Sequence, residues 1–108
     1  MLFEVLLTDD AARDLEDICD YIDRHDSPAR ADYVLERIEE AFQGLSEHPW
    51  RGNHPRELLD LGIRDYREVF FKPYGIVYRV TEDTVYVLVI VDGRRDMQSL
   101  LQRRLLQP

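Results

Sequence analysis

The chain has one cysteine and no long apolar run, and each shortage closes a class of function. Cys19, being alone, supports neither a disulfide framework nor a cysteine zinc site, and its place in a helical apolar pattern marks it as a buried structural thiol. No stretch reaches the roughly 18 apolar residues of a membrane-spanning helix, so no membrane partner is expected. The opening MLFEVLLTDD is too short, and acidic too soon, for a secretory leader, which makes the cytoplasm the expected compartment. His48 and His54 lie in a loop-like stretch with no cysteine beside them and no His-x-x-x-His spacing, so no metal and no cofactor are expected. No serine sits in a nucleophile elbow, and Gly52, Gly62, Gly75 and Gly93 form no phosphate-cradling loop.

Positive charge is scarce and unevenly placed. The net charge is −8. Residues 1–40 hold 13 acidic against 4 basic residues, whereas residues 61–108 hold 6 against 8. Overall acidity argues against a general nucleic-acid binder, whose affinity rests on neutralising phosphates. A local basic face built from the second half stays open. Only Lys72 among the 14 basic residues is a lysine; arginine suits planar, bidentate recognition, but high-GC codon usage explains the bias equally well.

What the chain does have is a β-rich stretch from Tyr66 to Arg95. Three runs, Tyr66–Phe71, Ile76–Val80 and Val85–Val91, are separated by Lys72-Pro73-Tyr74-Gly75 and by Thr81-Glu82-Asp83-Thr84. Connections this short imply antiparallel neighbours. The last run is apolar on both faces, with Val85, Val87, Val89 and Val91 on one and Tyr86, Leu88 and Ile90 on the other, so it should be central and covered on both sides. Met1–Leu7 reads as a further strand. Thr8 is a good N-cap, and Ala11, Leu15, Ile18 and Ile22 give a helical apolar face ending near His25. The opposite face, with Asp10, Asp14, Asp17 and Asp20, reads as solvated. Ser27-Pro28 starts a second helix carrying Ala31, Val34, Leu35, Ile38, Phe42 and Leu45. Trp50, in a Pro- and Gly-bearing loop, is placed to plug the gap between helices and sheet; Arg56–Leu61 reads as a short helical turn and Asp96–Leu106 as a final helix. The expected fold is α+β: one domain, residues 1–108, with an antiparallel four-stranded sheet packed against an N-terminal helical hairpin and a short C-terminal helix.

The arginines are the remaining candidates for function. Arg67 and Arg79 alternate with apolar residues on facing strands, and Arg94 and Arg95 stand where the central strand ends. Such residues can converge on one surface. They can equally be ordinary ion-pair partners of Glu68, Asp92 or Asp96.

The order of elements is similar to that of the RelE/ParE family of type II toxins. The motifs that carry the resemblance are Leu45-x-x-x-Pro49-x-x-Gly52, Gly62-x-Arg64-x-x-Arg67, Tyr74–Val80, Val85–Val91 and Gly93-Arg94-Arg95-Asp96. Together they span nearly the whole chain. The resemblance implies a cognate antitoxin bound in a hetero-oligomer, with Arg67, Arg79, Arg94 and Arg95 as target-contacting residues. Leu100, Leu101 and Leu105, with Leu106, are more apolar surface than a short helix readily buries, and are assigned to the antitoxin. One branch of the family, RelE-like, is a ribosome-dependent mRNA endoribonuclease. Of the positions its chemistry uses, Arg67 and Arg95 fill two, but Val69, Gly75 and Leu101 fill three others and can do no acid–base work. The other branch, ParE-like, poisons DNA gyrase and needs no catalytic constellation. The Gly93–Asp96 ending looks like that branch, with Asp92 where a histidine commonly stands. The resemblance therefore implies a ParE-like gyrase poison without catalytic residues; an mRNA-cleaving enzyme and an inactive binding module are the alternatives.

Overall fold

The computed structural model describes residues 2–107, and Met1 and Pro108 lie outside the described residues. Strand β1 (Glu4–Leu7) leads directly into helix α1 (Asp9–His25). Thr8 caps α1 by accepting the Ala11 amide at 3.2 Å, and Asp9 and Asp10 occupy its first turn, where a carboxylate meets the positive end of the helix dipole. Ser27 caps α2 (Pro28–Gln43) in the same way, through the Arg30 amide, with Pro28 at the first helical position. Helix α3 (Arg56–Leu59) ends near Gly62, whose φ of 77° is a left-handed conformation that glycine adopts without strain. Strands β2 (Arg67–Phe71), β3 (Tyr74–Thr81) and β4 (Thr84–Asp92) follow as the expected meander, and α4 (Met97–Leu101) runs on into a wider π-helical turn over Gln102–Leu106.

The sheet order is β1-β4-β3-β2. The β2–β3 and β3–β4 pairs are antiparallel, but β1 lies parallel to β4, with Val5 opposite Val85. The sheet is therefore mixed, not wholly antiparallel as the sequence led us to expect. The whole helical hairpin, loop and meander separate β1 from β4, and a connection that long can bring a strand back in either direction.

Strand β4 is central and covered on both sides, but not with one row of valines per side. Tyr78 pairs with Val87 while Val77 pairs with Val89, leaving Leu88 as an extra residue in β4. This bulge reverses the alternation of side chains. Val85, Val87 and Ile90 therefore join Ile76, Tyr78 and the hairpin residues Leu15, Val34, Ile38 and Phe42 in one core. Val89 and Val91 face the other way and pack with Val77, Leu58, Leu100 and Leu101 under α3 and α4. Ile18 and Leu35 stay partly exposed at the margin of the first core. Cys19 is also marginal rather than buried, and its thiol is pushed up first by partial burial and then by Asp20, Glu39 and Asp32.

Tyr78, not Trp50, closes the gap between hairpin and sheet. Trp50 is 58% exposed. The Tyr78 ring is fully buried; its hydroxyl donates to the Pro49 carbonyl at 2.8 Å and accepts the Gly52 amide at 2.9 Å. Gly52 has to be glycine here, because a Cβ would lie 2.6 Å from that hydroxyl and 2.8 Å from the Glu68 carbonyl.

The acidic face of α1 is not uniformly solvated. Strand β1 stops at Leu7, and the last backbone bond along that edge of β4 is from the Thr8 amide to the Val87 carbonyl. Beyond it Asp14 takes over: one carboxylate oxygen accepts the Ile90 amide at 3.0 Å. Both oxygens also accept the Arg104 guanidinium at 3.0 Å, and Arg104 donates again to the Leu88 carbonyl at 3.1 Å. Both side chains are about four-fifths buried, at 19% and 22% exposure. A paired charge with its lone pairs satisfied is stable there; a single partner left behind is not. Asp14→Ala is expected to lower the unfolding free energy by about 2 kcal/mol in urea denaturation, and Asp14→Ala with Arg104→Ala by less than the sum of the single changes. Asp20→Ala, on the solvated part of the same helix, should stay within about 0.5 kcal/mol of the parent. Tyr78→Phe leaves a buried amide and a buried carbonyl unpaired and should cost about 1–3 kcal/mol in the same assay.

Candidate functional site

Strand β4 ends in a turn held by its own backbone. The Gly93 amide donates to the Pro73 carbonyl at 2.8 Å and the Arg95 amide to the Asp92 carbonyl at 3.2 Å. Asp92 accepts both the Arg94 amide, at 3.0 Å, and the Arg94 guanidinium, whose Nε lies 2.9 Å from one oxygen and 3.2 Å from the other. Arg94 holds the Asp92 carboxyl below its usual range. Asp96 caps α4 through the Ser99 amide, a bond that lowers its carboxyl too. So Arg94 is an ion-pair partner of Asp92, while Arg95 has no ion pair among the described residues. Arg95 lines a small cavity of about 160 Å³ with Asp14, Asp17, Asp92, Leu100 and Arg104.

Other cations gather at the same end of the molecule. A groove of about 370 Å³ separates the tip of the helical hairpin, with Tyr21, His25, Asp26 and Arg30, from Phe71, Lys72, Pro73 and Tyr74. Tyr74 stands opposite Asp92. Its hydroxyl is pushed up by burial and by Asp92, against the pull of Arg94 and Arg30. The sequence hides Arg30 in a half that is strongly acidic and Lys72 in a turn between two strands. The short link between α1 and α2, Asp26-Ser27, is the available signal, since it brings residues 25–30 to the end of the sheet where β2 turns into β3.

Arg67 and Arg79 do not join this group. The Arg67 guanidinium donates to the carbonyls of Trp50 at 3.0 Å and Gly52 at 2.8 Å, and sits 5.4 Å from the Trp50 ring centroid. It holds the loop against β2. Arg79 pairs with Tyr86 near the opposite end of the sheet and is exposed. Leu100 and Leu101 are 5% and 0% exposed, inside the second core, and Leu105 is half-buried against it. The premise that the C-terminal leucines are surplus apolar surface is therefore corrected for Leu100 and Leu101: the bulge in β4 turns Val89 and Val91 toward them. Leu106 stays exposed.

Glu68 was outside the sequence-derived set except as an arginine's partner. It points to the face of the sheet away from the hairpin, where its carboxyl lies 3.7 Å from the place a Cβ on Gly75 would take. No ion pair or side-chain hydrogen bond meets it among the described residues. Desolvation, with Glu57 as the smaller cause, raises it to about 7. Only the fold reveals this, since Glu57 and the flanking apolar residues come from separate elements.

The family model described as the ParE toxin of the type II toxin–antitoxin system parDE matches residues 5–97. The chain belongs to the ParE toxin family. Toxin ParE3 of Caulobacter vibrioides is 30% identical over 95 residues, covering 88% of this chain and 87% of the relative. A chromosomal ParDE system from P. aeruginosa has the same fold, with a TM-score of 0.71 at 22% identity over 84% of this chain and 96% of that one. A RelBE2 toxin–antitoxin complex from Mycobacterium tuberculosis is also similar, with a TM-score of 0.61 at 26% identity over 85% of this chain and 99% of that one. The ParE match ends at Met97, the first residue of α4, so the rest of α4 and Arg104 lie beyond the matched residues.

A carboxyl raised in the fold binds more protons there than in the unfolded chain between its ordinary value of 4.5 and about 7. The associated stability is fully present below that window and lost as pH rises through about 7. Glu68→Gln should therefore raise the melting temperature at pH 8 and leave it nearly unchanged at pH 4.

Proposed function

We propose that this ParE-family chain is the toxin of a type II module, that it arrests growth by poisoning DNA gyrase, and that a cognate antitoxin neutralises it. The observation that carries the gyrase reading is the fate of the positions on which mRNA cleavage would depend. Val69 and Gly75 offer no acid, base or charge. Leu101 is fully buried. Arg67 spends its guanidinium on two loop carbonyls. A phosphorane would find no convergent cations there. Exposed cations instead collect at the end of the sheet, where Arg94 and Arg95 leave β4 close to Arg30 and Lys72, and this end is the proposed target contact. A gyrase target implies a cytoplasmic site of action and requires no cofactor.

The similarity to RelBE2 favours a second reading, ribosome-dependent mRNA cleavage. Induction of the chain without its antitoxin separates the two. A gyrase poison traps cleaved supercoiled DNA on gyrase and leaves mRNA whole; an mRNA-cleaving toxin gives codon-positioned cuts. An inert binding module gives no arrest. Arg94→Ala with Arg95→Ala is expected to abolish arrest while circular dichroism and melting stay close to the parent. A folded double variant that still arrests growth assigns the contact elsewhere. Loss of the fold makes the two arginines structural.

A further inference from the structure

We propose that the outer edge of β2 at Phe70 receives an extended segment of the antitoxin as an added strand, with a basic side chain of that segment set against Glu68. The inference rests on the antitoxin reading above and specifies where, and with what chemistry, the partner binds.

Strand β2 is an outer strand of the sheet. Its free edge is paired at one place, the Asn53–Glu68 bridge, where the Glu68 amide donates to Asn53 at 2.8 Å and the Asn53 amide to Glu68 at 3.2 Å. Backbone groups alternate in direction along a strand, so Phe70 turns its amide and carbonyl to that same edge. Among the described residues these two groups have no backbone partner. The loop and the charges Arg67 and Glu68 guard the first part of this edge, but at Phe70, which is 49% exposed, there is no proline, no charge and no bulge. The opposite edge is better guarded. Strand β1 is four residues long, and just before it Phe3 is tied to Ser46 through the Phe3 amide at 2.9 Å and the Ser46 hydroxyl at 2.8 Å.

Space and charge then select the occupant. A cavity of about 310 Å³ lies along the open edge, between Ala41 of α2, Arg51–Asn53 of the loop and Glu68–Phe70. Gly75, opposite Phe70, leaves the neighbouring sheet face low. Glu57 from α3 is the charge that acts on the Glu68 carboxyl; Arg51 lines the same cavity but its guanidinium lies beside Gly44, and Arg67 on the same strand is committed to loop carbonyls. An unpaired, half-buried carboxyl beside a second one, on a chain of net charge −8, is complementary to a cation. A second copy of this chain would bring Glu68 toward Glu68. A nucleic acid would bring phosphates to the same carboxylates. A peptide strand satisfies the Phe70 amide and carbonyl; Asn53 holds the place opposite Glu68, so a long basic side chain on the residue opposite Phe70 reaches Glu68 diagonally along the same face.

The pairing needs Glu68 ionised, which links association to pH. The test is to titrate the chain with the protein encoded beside it at pH 6 and pH 8, and to follow amide exchange at Phe70. Binding is expected to weaken about tenfold from pH 8 to pH 6, the ratio of ionised fractions for a group titrating near neutrality. Glu68→Gln should bind with little change between the two pH values, and the Phe70 amide should be protected in the complex. A complex with no pH dependence, or with an unprotected Phe70 amide, overturns this inference and leaves the toxin reading standing. Absence of any complex overturns both. Protection of Phe70 by an RNA oligonucleotide in place of the protein reassigns the edge to nucleic acid.

Discussion

The structure depends on keeping the long central strand hydrogen-bonded along both edges. β4 has nine residues and its partner β1 only four. Buried backbone groups left without partners cost more than most single contacts return. The shortfall is made up by two side chains, Asp14 from the first helix and Arg104 from the last turn, which bond the Ile90 amide and the Leu88 carbonyl and each other. Residues 90 positions apart in sequence thereby fix one another. The first helix cannot slide along the sheet, and the C-terminal turn cannot leave it, without exposing an edge of the strand on which both cores are built.

That strand serves two cores because of one inserted residue. Before the bulge at Leu88 the valines of β4 face the helical hairpin; after it Val89 and Val91 face α4 while Ile90 stays under the hairpin. The C-terminal helix is thereby drawn inside, with Leu100 and Leu101 as part of the floor. The charges that stay outside are sorted: carboxylates along the hairpin, cations at the end where β4 leaves the sheet, and an unpaired carboxyl near the open edge of β2, where Phe70 is also exposed.

Most of this fold is legible in the residues. The capping residues Thr8 and Ser27, the apolar spacing of both helices and the short links of the meander are local features, and they lead to the observed elements. What periodicity cannot supply is the response of the chain to its partners. The direction of β1 is free because its connection is long. The phase of β4 is set by a bulge that only strand pairing reveals. The exchange of roles between Trp50 and Tyr78 has the same origin, since size made Trp50 the natural plug, whereas a hydroxyl able to meet both a carbonyl and an amide decided for Tyr78. The arginines were legible as a set but not as individuals. Arg67 and Arg94 are bound by neighbours, and Arg95 is not. Arg30 joins the group because a hairpin tip lands beside it. Glu68, whose titration near neutrality comes from burial across several elements, leaves no mark in the sequence.

The loop from Pro49 to Asn53 behaves as a keyed part. Tyr78 reads it at Pro49 and Gly52, Arg67 reads it at Trp50 and Gly52, and Glu68 reads it at Asn53. Gly52, where no side chain fits, is the notch. Lengthening or shortening the loop by one residue inside these points would miss every lock at once. A change of length between His54 and Tyr66, beyond the key, leaves these locks in place. The same loop also forms one wall of the cavity beside β2, so the shape of that cavity is inherited from the lock and not free to drift with the surface around it.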